Sequence, residues 1–390
     1  MAATATNTGT RSLVFEPEHQ YYAEAFTTFI EREIRPHYAE WRKAGIVPAE
    51  LFTKAAEGGF LAMGVPEEFG GPGAPDWRFN VVLNEISAKA GVADAFSGPL
   101  LHTDVCLPYI LESANDEQKA RWLPGIADGT LPLAIAMTEP GTGSDLAAIQ
   151  TTARRDGDHF VINGAKTFIT NGINAKLVIV AARTSEDKHR GLSLIVVEDG
   201  MAGFERGKKI EKVDQHASDT AELFFDDVRV PVENLLGEEG TGFFQLVSRL
   251  VPERLTLAVG SQAGAERTLQ LTLDYVKERK AFGKPIGSFQ HSRFTLAELH
   301  TQLTINRAFV DQCVTKHVAG QCTVEEAAMA KYASTELACK VADVGVQLHG
   351  GYGYTTEYEI SQAWTDARVG KIYAGTNEIM LELIGRTMGL

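Results

Sequence analysis

Hydrophobic residues change their spacing twice along the chain. Between Glu16 and about Gly129 they recur every three or four positions, as in QYYAEAFTTFIEREIRPHYAEW, which predicts amphipathic helices. Between Leu131 and about Leu236, short β-branched or aromatic runs alternate with Gly, Asn and Asp, which predicts strands and turns. From Gly242 the helical spacing returns. The pattern therefore predicts an α+β protein with three domains: an N-terminal α-helical domain (1–130), a central β-sheet or barrel domain (131–238) and a C-terminal helical bundle (239–390).

A proline interrupts the first helical pattern of the third region. Pro252 has no N–H to donate to the carbonyl of Ser248, so it should kink or restart the helix. The apolar residues before it are predicted to share one helix face: Phe243, Leu246, Val247, Leu250 and Val251. A doubly wound sheet is disfavoured, because strands do not alternate with helices.

Composition limits the classes of partner. The chain has 390 residues and a formal charge of -14, which argues against a nucleic-acid or anionic-membrane surface. No apolar run approaches the roughly 18 residues of a membrane span. The opening MAATATNTGTRSL has no apolar core of a signal peptide; it is rich in Ser and Thr and free of acids, like a transit peptide, but short.

The cysteines indicate a reduced compartment. They form no CxxC pair and have no His partner at zinc spacing, so we expect core residues, no metal site and a cytoplasmic protein. The four are Cys106, Cys313, Cys322 and Cys339.

Two segments of the β region could bind a flat or phosphorylated ligand. In AMTEPGTGSD, glycines allow close backbone approach, and Thr138 and Ser144 can hydrogen-bond a ring edge or a phosphate. In KTFITNG, Phe168 could cover an aromatic ligand and Thr170 could reach it. Each segment alone is equally consistent with an ordinary turn. The first is no dinucleotide fingerprint, which would need glycine at Leu146 and a crossover helix.

Two further segments lie in the C-terminal region. ERKAFGKPIGSFQ places Arg279, Lys280 and Lys284 beside glycines and Gln290, and could equally be a helix C-terminus whose cations complement the dipole. QLHGGYGY is either a glycine cap or a close backbone approach to a ligand.

Five motifs together resemble one family. In chain order they are MTEPGTGSD, FITNG, RKAFGKPIGSFQ, QLHGGYGY and IYAGTNEI, and over nearly the full length they resemble the acyl-CoA dehydrogenases. The resemblance implies an α-helical domain, a central β domain and a C-terminal four-helix bundle, with FAD between the β domain and the bundle, usually in a homotetramer.

The resemblance also implies a set of site residues. Thr138 should bond the flavin pyrimidine, Phe168 should cover the ring and Thr170 should approach N5, while Ser144 lies at the phosphate end. Two residues, Arg279 and Gln290, match those that reach a neighbouring subunit's FAD. The loop that holds the adenosine diphosphate half of that FAD is matched by Gln347, Gly350 and Gly351. The turn beside the ribityl and phosphate chain is matched by Thr376 and Glu378. The remaining cofactor contacts implied are Met137, Gly143, Ile169 and Phe282, and the substrate contacts implied are Ser144, Arg254, Tyr373 and Gly375.

The catalytic base is not where many members of the family carry it. Medium-chain and short-chain members have a glutamate before the GT of IYAGTNEI, where this chain has Ala374. Long-chain and isovaleryl-type members take the base from an acid directly before an arginine, which here is Glu253 before Arg254. We therefore expect Glu253 to be the base and the backbone N–H of Ala374 to polarise the thioester oxygen. Without the resemblance, Glu253 is better interpreted as a first-turn acid that stabilises its helix.

The implied activity is FAD-dependent α,β-dehydrogenation of a medium-chain, long-chain or branched acyl-CoA to the trans-2-enoyl-CoA, as in fatty acid β-oxidation. Electrons would pass to an electron-transfer flavoprotein. Two alternatives are an acyl-CoA oxidase that uses O2 and a non-catalytic assembly subunit that binds flavin or CoA.

Overall fold

The computed structural model describes residues 14–188 and 190–390. The transit-like opening, residues 1–13, lies outside the described residues. The described chain packs as two compact units, whose segments are 14–28, 77–93 and 251–390 in the first and 29–76 and 94–250 in the second.

Short helices occupy the N-terminal third, as the three-and-four spacing predicts. Their bounds are α1 Pro17–Phe29, α2 Tyr38–Ala44, α3 Glu50–Glu57, α4 Arg78–Ala90, α5 Ala93–Leu100, α6 Leu107–Ser113 and α7 Asp116–Ala127. Two π-helical segments, Ile30–Ile34 and Leu101–Cys106, join neighbouring helices. The α7 helix starts from a capping box in which Asn115 accepts from the backbone N–H of Gln118, 2.9 Å away.

The middle of the chain forms an eight-stranded sheet. Its strands are β1 Leu133–Ala136, β2 Thr152–Asp156, β3 His159–Thr170, β4 Leu177–Arg183, β5 Leu192–Glu198, β6 Phe204–Lys209, β7 Thr220–Pro231 and β8 Leu235–Leu236. The order across the sheet is β6-β7-β3-β2-β4-β5-β8, with β1 parallel to β4. Strands β4 and β5 are buried at all but their last residue, which explains their unbroken apolar runs.

Strand β3 carries an irregularity that affects the site. Its pairing with β7 shifts register between Lys166 and Ile169, so Phe168 adopts a left-handed conformation with φ +58°.

Long helices form the C-terminal region. They are α8 Gly242–Ser248, α9 Leu250–Glu278, α10 Gln290–Val318, α11 Val324–His349, α12 Glu359–Val369 and α13 Asn377–Thr387. A two-stranded hairpin, β9 Lys280–Ala281 with β10 Lys284–Pro285, follows α9. The predicted sequence of helices, sheet and helices is confirmed, and the fold is α+β.

The helix restart at Pro252 is confirmed, but the shared apolar face is wrong. Helix α8 ends at Ser248 and α9 begins at Leu250, so Pro252 lies in the first turn of a new helix, where its missing N–H costs no hydrogen bond. The five apolar residues do not share one buried face: within α8, Leu246 is buried, whereas 44% of Val247 is exposed.

Two apolar clusters hold the helices of the first unit. One surrounds Leu255 and Val259 with residues of α10 and α11, and the other surrounds Leu269 and Leu299. Of the cysteines, Cys106 and Cys313 are buried as predicted, whereas Cys322 and Cys339 are only half-buried.

The part of the chain that the structure describes contains no helix that is long and apolar enough to cross a membrane. The same residues contain no group of three or more His, Cys, Asp or Glu side chains that could hold a metal ion.

Candidate active site

A buried ion pair fixes the loop that follows β1. The ammonium of Lys166 donates to the carbonyl of Met137 at 3.0 Å and to Oε1 of Glu139 at 2.8 Å. The Glu139 carboxylate also accepts the backbone N–H groups of Gln150 and Thr151. Burial lowers the pKa of Lys166 to about 8, against the opposing effect of Glu139. Burial alone would raise the pKa of Glu139, but its hydrogen bonds outweigh that effect and lower it.

The side chains and glycines predicted in this loop are open to a ligand. Met137 and Thr138 are half-buried, and Gly143 and Ser144 are exposed. Within the described residues, the hydroxyls of Thr138 and Ser144 have no hydrogen-bond partner, and no atom lies within 4 Å of a Cβ built on Gly143. This loop can therefore approach a polar ligand closely and donate to it.

The second predicted segment presents an aromatic ring. Phe168 is 64% exposed in its left-handed conformation, while the neighbouring Ile169 is buried and Thr170 is half-buried. A bulky residue with positive φ is strained, and such strain concentrates at ligand sites. An exposed ring held in this way suits a flat aromatic ligand, as the isoalloxazine of FAD is.

In the helical unit, Glu253 and Arg254 lie in the first two turns of α9 with polar atoms unsatisfied. Arg254 is 3% exposed, and its Nε and Nη1 have no partner in the described residues. Glu253 retains some accessible surface, but its Oε2 is enclosed and also unpartnered. Burial raises the pKa of Glu253 to about 7, although Arg254 opposes the shift. Enclosed, unpaired charged atoms are costly, so this arrangement suits a site that a polar ligand completes.

The turn between α12 and α13 contains Ala374 in an unusual conformation. Ala374 and Gly375 both have positive φ, +52° and +84°. In the described residues, the Ala374 N–H has no acceptor, which leaves it free to bind a ligand oxygen. Tyr373 is 44% exposed.

Thr376 and Glu378 lie at the start of α13. The Thr376 hydroxyl accepts from the backbone N–H of Ile379 and so caps the helix, while Glu378 is exposed. A bond from its own backbone N–H, followed in weight by one from Thr376, lowers the pKa of Glu378.

Lys331 anchors this turn from inside helix α11. Its wholly buried ammonium donates to the carbonyl of Gly375 at 2.7 Å and to Oδ1 of Asn377 at 2.8 Å. Burial lowers the pKa of Lys331 to about 8, and Arg254 is near enough to lower it further.

A cavity of about 460 Å³ lies at the other end of the helical unit. It is lined by Arg279, Gly350 and Gly351, among others, and the Arg279 guanidinium lies 5.6 Å from the centre of the Tyr352 ring. A Cβ built on Gly350 or Gly351 meets no atom within 4 Å, so the backbone here is accessible.

The structure does not bring every predicted residue of this region into that cavity. Gln347, Phe282 and Gln290 are exposed and do not line it, and Phe282 is 95% exposed.

Sequence reasoning missed Lys166, Glu139 and Lys331. In the sequence they resemble ordinary surface charges. Their position in the sequence could have indicated a role in the site, because Lys166 lies two residues before Phe168 and Glu139 lies inside MTEPGTGSD.

The fold and comparisons with known proteins identify a family of flavin-dependent dehydrogenases. Three family models match in order: the N-terminal domain of acyl-CoA dehydrogenases at residues 16–130, the middle domain at 134–228 and the C-terminal domain at 240–389. This chain belongs to the acyl-CoA dehydrogenase family. It is accordingly an oxidoreductase, and FAD is its cofactor.

Two curated relatives illustrate the similarity. The mitochondrial long-chain specific acyl-CoA dehydrogenase of Sus scrofa is 44% identical over 388 residues, which cover 99% of this chain and 89% of that protein. The mitochondrial isovaleryl-CoA dehydrogenase of Solanum tuberosum is 33% identical, with coverage of 97% and 92%.

Solved structures share the fold. An acyl-CoA dehydrogenase from Geobacillus kaustophilus has 49% identity and a TM-score of 0.94, with 96% of this chain and 99% of that one covered. A structure described as the electron transferring flavoprotein of Acidaminococcus fermentans has 36% identity and a TM-score of 0.89, covering 96% and 98%. A glutaryl-CoA dehydrogenase from Mycobacterium smegmatis, solved in complex with FADH2, has 26% identity and a TM-score of 0.86, covering 97% and 96%.

Proposed function

We propose that this chain oxidises a medium-chain, long-chain or branched acyl-CoA to its trans-2-enoyl-CoA and passes the electrons to an electron-transfer flavoprotein. The observation that carries the proposal is Glu253: an enclosed carboxylate with an unpartnered oxygen and a pKa raised to about 7, in a chain that has alanine at position 374. A base must have a pKa near the working pH, and burial provides that here.

Each reacting group of the substrate has a proposed partner in the chain. Glu253 takes the α-proton through Oε2. The Ala374 N–H donates to the thioester oxygen and stabilises the negative charge that develops there as the proton leaves. Arg254 stabilises the ionised form of Glu253 by attraction and supplies donors to the substrate, together with the exposed Tyr373 and the Gly375 backbone.

Two sets of residues fit the cofactor. Met137, Thr138, Phe168, Ile169 and Thr170 would hold the flavin ring, and Gly143, Ser144, Thr376 and Glu378 are proposed for the ribityl and phosphate chain. Arg279 and Gln290 are proposed to reach a neighbouring subunit's FAD, whose adenosine diphosphate half Gln347, Gly350 and Gly351 would hold, and Phe282 is a further proposed cofactor contact. Bound FAD supplies the acceptor for the β-hydrogen and its two electrons.

The finer parts of the proposal rest on similarity. The long-chain and isovaleryl-CoA dehydrogenases among the relatives support a long or branched acyl group, and the flavoprotein among the solved structures supports electron transfer to such a partner. We also propose a role in fatty acid β-oxidation, a homotetramer and a cytoplasmic location; the four free cysteines support a reducing compartment.

The test is anaerobic bleaching of the flavin by a panel of straight and branched acyl-CoAs. Glu253→Gln keeps the size of the side chain but cannot accept the proton, so flavin reduction should fall by about 10²- to 10⁴-fold while enoyl-CoA binding survives. Reoxidation by O2 as fast as by an electron-transfer flavoprotein would instead identify an oxidase.

The matched control is Glu325→Gln. Glu325 is also a first-turn acid, in α11, and lies outside the proposed site. If Glu253 only stabilised its helix, both variants would lose about 0.3–1 kcal/mol of stability and neither would lose rate. A wild-type rate of reduction in Glu253→Gln would therefore overturn the proposal.

A further inference from the structure

Lys331 is a charged residue in the middle of α11 with no exposed surface. A buried ammonium loses its hydration and is stable only when hydrogen bonds replace it. Two of its bonds go to one short segment, the turn that contains Ala374, where the acceptors are the Gly375 carbonyl and Asn377 Oδ1.

The turn needs such a restraint. Ala374 and Gly375 are consecutive left-handed residues, and alanine is strained in that conformation. The Asn377 N–H closes the turn by donating to the carbonyl of Lys371 at 3.1 Å. The Gly375 carbonyl lies in the peptide plane that Gly375 shares with Thr376, one residue after Ala374. With the turn closed between Lys371 and Asn377, fixing this plane limits how far Ala374 can relax toward ordinary φ without moving Gly375.

The Asn377 side chain is held independently of Lys331. Its Oδ1 lies 3.1 Å from the Thr335 hydroxyl, and its Nδ2 donates to Glu336 at 2.9 Å. The Gly375 carbonyl, by contrast, has the Lys331 ammonium as its side-chain donor. Loss of Lys331 should thus release the Gly375 carbonyl more than the Asn377 side chain.

We infer that Lys331 is a positioning residue for thioester activation: by anchoring the Gly375 carbonyl, it keeps Ala374 in the left-handed conformation that presents its N–H to the thioester oxygen. This inference rests on the proposed function, in which the Ala374 N–H polarises that oxygen. Lys331 itself contacts neither the substrate nor the cofactor in this account.

The first readout is the carbonyl stretch of a bound ligand. The FAD-loaded protein is mixed with the trans-2-enoyl-CoA of its best substrate, labelled with ¹³C at the thioester carbonyl. In wild type, hydrogen bonding by Ala374 should shift the infrared band to lower wavenumber. In Lys331→Met, which matches the length of the side chain but has no donor, most of that shift should disappear.

The second readout is the ratio of two affinities. The same enoyl-CoA is compared with an S-alkyl-CoA thioether that has no carbonyl oxygen. Lys331→Met should lower the preference for the thioester at least about tenfold, with thioether affinity and FAD content unchanged. A merely structural role would weaken both ligands alike.

Two further variants complete the design. Thr335→Val removes another buried bond of the same network but leaves Lys331 bound to Gly375, so it should keep both readouts. Adding Ala374→Gly to Lys331→Met should restore part of the carbonyl shift, because glycine reaches positive φ without strain. If Lys331→Met does not fold, both readouts are taken on Lys331→Leu, which also has no donor, with the same expectations.

An unchanged carbonyl shift and affinity ratio in the Lys331 variant would overturn the inference. If wild type shows the shift and the variant keeps it, the proposed role of Ala374 stands and only the role of Lys331 fails. If wild type shows no shift, the role of Ala374 fails and the inference falls with it. Proton abstraction by Glu253 is tested separately by Glu253→Gln.

Discussion

The ammonium of Lys166 lies 2.8 Å from Oε1 of Glu139, and both side chains are buried. The same ammonium holds the carbonyl of Met137, and the backbone N–H of Thr167 donates to the carbonyl of Thr138 at 2.9 Å. The segment proposed to bind the flavin pyrimidine is therefore anchored from the protein interior, which leaves its outer surface free for the cofactor.

Lys166→Met should weaken both the fold and the retention of FAD. It leaves the Glu139 carboxylate buried without its cation, at a cost of about 3–5 kcal/mol, and releases the Met137 carbonyl. Chemical unfolding and equilibrium dialysis of FAD measure the two effects. Adding Glu139→Gln to Lys166→Met removes the unpaired buried charge, so it should recover part of the stability but not the FAD affinity. If Lys166→Met alone is as stable as wild type, the ion pair does not stabilise the fold.

Flavin reduction should depend on pH through Glu253. The carboxyl must be ionised to accept the α-proton, so the stopped-flow rate should rise with pH through about 7 and then level off. The pKa of Glu253 in the folded protein lies above the usual glutamate value of 4.5, so the folded state binds more protons and stability should fall as pH rises from about 4.5 to 7. Glu253→Gln should remove both dependences. A rate that does not change between pH 5.5 and 8.5 would be inconsistent with Glu253 as the base.

A carboxylate installed at position 374 should partly replace Glu253. Ala374 already carries a Cβ at φ +52°, so Ala374→Glu adds no new class of backbone strain. In the Glu253→Gln background, the rate of flavin reduction should recover at least in part, short of wild type if the longer side chain crowds the thioester. Ala374→Gln in the same background is the control and should recover nothing. If Ala374→Glu and Ala374→Gln give equal rates in the Glu253→Gln background, a carboxylate at position 374 does not replace Glu253.

Arg279→Ala should lower both the affinity for FAD and the stability of the oligomer. Arg279 lines the cavity beside Gly350 and Gly351, and we propose that it serves a neighbouring subunit's cofactor. FAD content and sedimentation measure the two losses, which should track each other because binding and assembly are linked. Lys277→Ala is the matched control, since Lys277 is an exposed cation near the end of α9, two residues before Arg279, and does not line the cavity. If the wild-type protein is a monomer with about one FAD per chain, FAD binding does not depend on assembly and the prediction is wrong.

The order of helices and strands could be predicted because spacing alone distinguishes the two. Pro252 identified the start of α9 for a local reason, the missing N–H. Val247 was misjudged because it lies roughly 100° around α8 from the buried Leu246, and the spacing does not show how wide the buried face is. Lys166 and Lys331 could not be predicted as buried, because their enclosure depends on carbonyls that are distant in sequence.

The proposed base and the predicted cofactor-binding arginine lie at opposite ends of one helix. Glu253 lies in the first turn of the 29-residue helix α9, and Arg279 follows its last residue directly. Each residue of an α-helix turns the chain by roughly 100°. A single insertion or deletion between them would rotate one end about the helix axis relative to the other, so we expect the length of this stretch to be critical for holding both residues in place.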